Sequence, residues 1–209
     1  MSEGGFGGGA RGGKRQSRPQ PRKRPEPFEP GTPLTEAQVA RFRDRLKSSA
    51  YWYLSRGDRT RQELAQRMAR KVDIPADLIP GVLDELTEDG LIDDARYAEN
   101  FIRSRIEYRK LGKSAIRMEL ARRGVDRDII DLALEDWDEE DETERAYTLV
   151  EKKMGSSRGQ DRQKRTNSLV GMLARKGYPL NVAFGVVREL LDAEAESTNA
   201  EPSGDEEQA

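Results

Sequence analysis

From about residue 35 to residue 191 the apolar side chains recur at intervals of three and four, and no useful length alternates apolar with polar. The pattern predicts helices and no sheet. Turn residues cut it into nine segments. The first covers about 35–56 and opens on Thr35 with Gln38 three residues on, the spacing of a capping box. The second covers 59–71 with Asp58 as its expected N-cap, and the third lies within 75–88 and stops at Gly90. The fourth, 94–110, begins after Asp93 and carries Tyr97, Phe101, Ile102 and Ile106 as one stripe. The fifth, 113–123, and the eighth, 161–176, each stop at a glycine, Gly124 and Gly177. Between them lie the sixth, 127–137, and the seventh, 141–154. The ninth starts at Pro179, suited to the first helical position, and reaches about Leu191.

Three of these segments share one pattern: Leu64, Met68, Ala69, Arg70, Lys71; then Ile116, Leu120, Ala121, Arg122, Arg123; then Leu169, Leu173, Ala174, Arg175, Lys176. From Arg70 to Arg122 is 52 positions and from Arg122 to Arg175 is 53. So steady a period means one small helical unit used three times, with three helices in each. The expected fold is therefore all-α: an elongated tandem array of three three-helix repeats. The expected repeats cover 33–90, 91–138 and 139–192, between disordered tails at 1–32 and 193–209. Met68, Leu120 and Leu173 should be buried equivalently. The first repeat departs twice. Val72 stands where the others have Gly124 and Gly177, so its cap must differ. Pro80, with Gly81, should kink or shorten the third helix.

Composition narrows the chemistry. The 209 residues include no cysteine and no histidine, which removes disulfides, thiol nucleophiles, His–Cys zinc sites and imidazole catalysis. No apolar stretch approaches the roughly 18 residues that span a bilayer, and the basic, glycine-rich start lacks a signal peptide's apolar middle. A cytoplasmic protein without membrane contact is expected. The net charge of −2 hides strong segregation. Residues 1–32 carry +4 and residues 192–209 carry −7; residues 96–123 carry +6 and residues 124–144 carry −10. The basic segment suits a polyanion. The acidic one suits a basic protein surface or solvent.

No catalytic constellation emerges, and no cofactor or metal is called for. Asp93–Asp94 precede a helix, where aspartates usually cap it, and no third carboxylate is spaced to join them as a metal ligand. The run Asp136–Glu142 reads as a solvated linker opening the seventh helix. The basic pairs Arg70–Lys71, Arg122–Arg123 and Arg175–Lys176 admit two readings. Cations in a last helical turn satisfy terminal carbonyls and complement the helix dipole. A row of cations at a fixed interval also suits a repeating anionic or filamentous partner. The segment 96–123 adds Arg103, Arg105, Arg109, Lys110, Lys113 and Arg117, with Tyr108 among them to stack on a base.

Gly90-Leu91-Ile92-Asp93-Asp94-Ala95-Arg96-Tyr97-Ala98, continuing to Phe101, Ile102 and Arg105, resembles the most characteristic segment of the bacterial RecX family. Tyr53-Leu54-Ser55-Arg56 with Arg59-Thr60-Arg61-Gln62-Glu63-Leu64 is similar to that family's first-repeat entry. Lys113-Ser114-Ala115-Ile116-Arg117-Met118-Glu119-Leu120 resembles its second-repeat core helix. Asp161-Arg162-Gln163-Lys164-Arg165 and Arg175-Lys176-Gly177-Tyr178 resemble its third. The resemblance runs in order through residues 50–191. It implies a non-enzymatic modulator, mainly an inhibitor, of the recombinase RecA. Such a protein lodges in the groove of the RecA–DNA filament and restrains its ATPase, strand-exchange and co-protease activities.

The expected partners are thus a RecA filament and, through it or directly, single- or double-stranded DNA, with the protein itself a monomer. The expected contacts are the three basic pairs, the cations of 103–117, and Arg162, Lys164 and Arg165. A helix-turn-helix transcriptional regulator is the alternative, with 59–88 as its helix pair; no wing or dimer helix accompanies it, and the unit occurs three times. A tetratricopeptide-type solenoid would need a period of roughly 34.

Overall fold

A computed structural model describes residues 33–71 and 73–200. The expectations for Val72 and for the tails at 1–32 and 201–209 lie outside these residues. None of the described residues is in a strand. Nine α-helices follow one another among them: α1 (Glu36–Leu54), α2 (Arg61–Ala69), α3 (Ile79–Glu88), α4 (Asp94–Ser104), α5 (Lys113–Arg122), α6 (Arg127–Ala133), α7 (Glu139–Met154), α8 (Arg162–Arg175) and α9 (Leu180–Ala200).

The helices group in threes, and each group closes its own core. In the first, Phe42, Leu46 and Ala50 of α1 meet Leu64 and Met68 of α2 and Val82, Leu83 and Leu86 of α3. In the second, Ala98, Phe101 and Ile102 of α4 meet Ile116 and Leu120 of α5 and Ile130 of α6. In the third, Ala146 and Val150 of α7 meet Leu169 and Leu173 of α8 and Val186 and Val187 of α9. Met68, Leu120 and Leu173 are each wholly buried, one at the centre of each group, as the repeat pattern requires.

Local chemistry sets most helix ends. Gln38 N donates to Thr35 Oγ1 at 3.3 Å and Thr35 N donates to Gln38 Oε1 at 2.9 Å, so the capping box forms. Helices α3, α5 and α8 end at Gly90, Gly124 and Gly177 in the left-handed region. The two residues that follow the basic pairs close Schellman motifs: Val125 N donates to Leu120 O at 3.3 Å, and Tyr178 N donates to Leu173 O at 3.1 Å.

The sixth segment stops at Ala133 rather than 137, and four other ends differ from the sequence expectation for reasons the structure shows. Thr60, not Asp58, caps α2: its hydroxyl accepts from Glu63 N at 3.1 Å and donates to Arg123 O at 2.6 Å, so the next repeat helps to choose the start. The third segment splits into a 3-10 turn at Ala76–Leu78 and then α3, with Pro80 in the first turn where its missing N–H costs nothing. The fourth helix ends at Ser104 and gives way to one π-helical turn, Arg105–Arg109, which stops at Lys110 with φ 50°. Finally, α9 continues past Leu191 to Ala200 because its later carboxylates find arginine partners.

Candidate functional site

The repeats are joined chiefly by bonds between a main-chain group of one and a side chain of the next. At the first joint, the start of α2 meets the second repeat. Besides the Thr60 bond, Arg61 N donates to Asp94 Oδ1 at 2.9 Å. At the second joint, the start of α5 meets the third repeat in the same way. Gly112 N donates to Lys176 O at 2.9 Å, and Lys113 N donates to Glu142 Oε1 at 2.8 Å. Each joint thus ties a helix start to a carboxylate, which accepts from an orphan N–H, and to a terminal carbonyl of the following repeat, which accepts from the Thr60 hydroxyl at the first joint and from Gly112 N at the second. Burial lifts the Asp94 carboxyl above its usual range, against the pull of the Arg61 N–H.

Two glycines admit this closeness. A Cβ on Gly124 would lie 1.6 Å from Gln62 Oε1, and one on Gly177 would lie 2.3 Å from Ala115 N. Gln62 to Gly124 and Ala115 to Gly177 are both 62 positions, so one contact is used twice. Gly112 is of the same kind: its backbone is extended, and its added Cβ would fall 2.6 Å from Gly177 O.

These joints divide each basic pair. Arg122 is exposed and donates within its own helix, to Met118 Sδ at 3.3 Å. Its neighbour Arg123 turns into the first joint, where it pairs with Glu63 at 2.7 Å and lies over the Phe101 ring. Arg175 is exposed, whereas Lys176 turns into the second joint and donates to Arg109 O at 2.7 Å. In these two pairs the second member therefore serves a joint between repeats, a use that neither the dipole nor the binding reading names, and the first is left exposed. Arg70 is exposed and Lys71 half-buried at the end of α2.

The basic segment of the second repeat is partly neutralised. Arg105 and Arg109 share Glu119, at 2.9 Å and 3.0 Å, and Arg117 pairs with Asp131. Arg103, Lys110 and Lys113 pair their side chains with no carboxylate among the described residues. In the third repeat Arg162 pairs with Asp192 and Arg165 with Glu194, which also holds Arg158 at 3.1 Å. The Arg165 hydrogen bond, then that of Arg158, holds the Glu194 carboxyl below the usual range. Lys164 and Arg175 pair with no carboxylate among the described residues.

The second joint gathers cations that are far apart in sequence. Lys176 reaches the carbonyl of Arg109, beside Lys110 and Lys113, while Tyr178 Oη donates to Lys110 O at 3.0 Å. Burial, then the neighbouring Arg109 charge, lowers the Lys176 pKa. The Tyr178 hydroxyl is pushed up to about 12, mainly by burial. The fold thus sets Lys176 against the Arg109 charge here, with Glu119 and Glu142 as the carboxylates, whereas Glu63 pairs with Arg123 at the first joint. Tyr108, 77% exposed, stands on the adjoining π turn.

The acidic candidates prove structural. Asp93 caps α4, accepting from Arg96 N at 2.8 Å, and Asp138 caps α7, accepting from Glu140 N and Asp141 N. Glu142 is the exception to the solvated-linker reading: it is 4% exposed and serves the second joint. Its partner is 29 residues away, and nothing in its own neighbourhood signals it. Among the described residues, no three carboxylates gather as a metal site. Nor is any of their helices long and apolar enough to cross a membrane.

Comparison with known proteins places this arrangement. Residues 93–134 match the model of the second three-helix domain of RecX, and residues 139–187 match that of the third. The regulatory protein RecX of Streptomyces coelicolor is 43% identical over 148 residues, covering 71% of this chain and 77% of that one. That of Mycolicibacterium smegmatis is 38% identical over 185 residues, covering 86% and 96%. The crystal structure of RecX from Lactobacillus salivarius superposes with a TM-score of 0.66 at 27% identity, over 72% of this chain and 97% of that one.

Proposed function

This chain belongs to the RecX family, and from that premise we propose that it is a non-enzymatic regulator that binds the RecA–DNA filament and restrains its ATPase, strand-exchange and co-protease activities. The observation that carries the reading is the second joint. There the fold brings Lys176 against Arg109, on the segment that also carries Lys110 and Lys113, and these four cations meet two carboxylates, Glu119 and Glu142. Such an excess binds a polyanion or an acidic protein surface, with release of counterions as the driving force. Arg70, Lys71, Arg122 and Arg175 extend the cationic set to all three repeats, so that weak contacts add along a filament.

The test is RecA ATP hydrolysis on single-stranded DNA. Substoichiometric protein should lower the rate. The variant Arg103→Gln/Lys110→Gln/Lys113→Gln removes three side chains that pair with no described carboxylate. It should keep the helical circular dichroism of the parent and lose most inhibition. A folded triple variant that inhibits as well as the parent overturns the assignment of the surface. A parent that leaves the rate unaltered overturns the regulator reading. Selective retardation of one duplex sequence would instead assign a helix-turn-helix regulator.

A further inference from the structure

One face of the first repeat bears a cluster of which the recombinase reading uses only Lys71. Tyr51, Trp52 and Tyr53 are consecutive at the end of α1, yet Trp52 is 52% exposed and Tyr51 47% exposed. The other tryptophan of the chain, Trp137, is half-buried beneath Arg145. A large aromatic left in water loses the stabilisation that its burial would give. Trp52 is also held in place. The Arg56 guanidinium sits 3.5 Å over its ring and donates to Trp52 O at 2.9 Å, and Tyr53 meets it edge-on at 4.9 Å. Arg67 lies over Tyr53 in turn, at 4.8 Å.

Beside Trp52 runs a groove of about 620 Å³, lined by Arg41, Arg45, Ser48, Tyr53 and Lys71. Arg41, Arg45, Ser49, Trp52 and Arg56 follow one another at intervals of three and four, so they form a single stripe along the helix. From Arg41 to Trp52 the helix rises about 16 Å. Two carboxylates temper the charge, Asp44 in the groove and Asp73 paired with Arg45. Against them stand five cations, Arg41, Arg45, Arg56, Arg67 and Lys71.

We propose that this groove binds a short run of single-stranded nucleic acid, with a base stacked on the exposed Trp52 ring and phosphates held by Arg41, Lys71 and Arg45. The pairing of a fixed aromatic plane with cations strung along one helix is what strand binding needs, because every base offers a flat face and every linkage a charge. The groove sets the apolar faces of Trp52 and Tyr53 beside Arg41, Arg45 and Lys71, and this mixture of flat rings and cations along one line matches a strand of bases and phosphates. The site stands apart from the second joint and does not depend on any recombinase being present.

The experiment uses the full chain and a fluorescently labelled oligothymidylate, with no recombinase. Fluorescence anisotropy at low salt should show binding. Trp52→Leu should weaken it roughly ten-fold, the loss of one stacked base. Arg41→Gln and Lys71→Gln should each lower the salt dependence by about one counterion. An abasic strand of equal length should bind the parent as weakly as oligothymidylate binds Trp52→Leu. A second readout needs no loss of the aromatic: with Trp137→Phe as background, the strand should quench the remaining tryptophan emission. Absence of binding by the parent overturns the proposal, as does equal binding of the abasic strand or of Trp52→Leu. Retained strand binding by Trp52→Leu together with weaker capture of RecA would reassign the aromatic to a protein contact. Because the strand assay contains no RecA, its failure is distinguishable from failure of the regulator reading.

Discussion

Replacing Gly177 by alanine tests the second joint directly. Gly177 has φ 88°, where a non-glycine residue is strained by roughly 1–3 kcal/mol. The added Cβ would meet Ala115 at 2.3 Å from its N and 2.4 Å from its Cβ, and main chain cannot swing aside as a long side chain can. Forcing such an overlap costs a further ~1–3 kcal/mol. Together the substitution should cost roughly 2–6 kcal/mol. It should fall on the joint, because the core of the third repeat lies among its own helices. Gly185→Ala is the control: it lies within α9 with nothing within 4 Å of the added Cβ, and should stabilise by about 0.5–1 kcal/mol. Urea denaturation gives the two stabilities. Hydrogen exchange at the Gly112 amide, which donates to Lys176 O, reports the joint itself. A Gly177→Ala protein with an unshifted midpoint and a protected Gly112 amide would refute the contact.

Two further outcomes follow from the same geometry. Arg122→Gln should change stability by less than about 0.5 kcal/mol and weaken inhibition of RecA, whereas Arg123→Gln leaves Glu63 unpaired and should lower stability by about 1 kcal/mol with less effect on inhibition; denaturation midpoints beside ATPase rates decide, and equal behaviour of the two would refute the division of the pair. The folded pKa of Glu194 lies below its ordinary 4.5, so its contribution is complete above that value and is lost as pH falls through the lowered one; exchange of the α9 amides beyond Leu191 should accelerate across that acid range in the parent and accelerate less in Glu194→Gln, which keeps the Asp192 pair, after correction for intrinsic rates, and equal acceleration in both would refute the role of Glu194.

Much of this architecture was legible in the sequence because the information is local. A capping box, a stripe at helical spacing and a glycine after a basic pair each involve residues within about one or two turns. The period then assembled these elements into repeats. What the sequence left unread lies between repeats. Gly124 and Gly177 are explained as caps without reference to anything else, so their second use against Gln62 and Ala115 leaves no separate trace. Glu142 looks like any member of an acidic run until its oxygen meets Lys113 N. The cations were identifiable by type but not by fate. Arg105, Arg117 and Arg165 find carboxylates on neighbouring helices, while Arg103 and Lys113 do not, and pairing of this kind depends on crossing geometry rather than on spacing.

A joint that is used twice gives the array a direction, as head-to-tail linkage does in a polymer. Its accepting side needs a residue without a side chain after the basic pair, as at Gly124 and Gly177. At the equivalent place in the sequence the first repeat has Val72, a β-branched residue, which by type does not meet that requirement. The donating side of the joint is the first amide of the middle helix, which takes a carboxylate from the next repeat, as Arg61 N takes Asp94 and Lys113 N takes Glu142. In α8 that residue is Arg162. Its guanidinium pairs with Asp192 of the same repeat, as that of Arg61 pairs with Asp84, and such a pair does not occupy the amide. The array thus resembles a polymer with two unlike ends, one barred by residue type and one not, and exchanging Val72 for glycine would remove the difference.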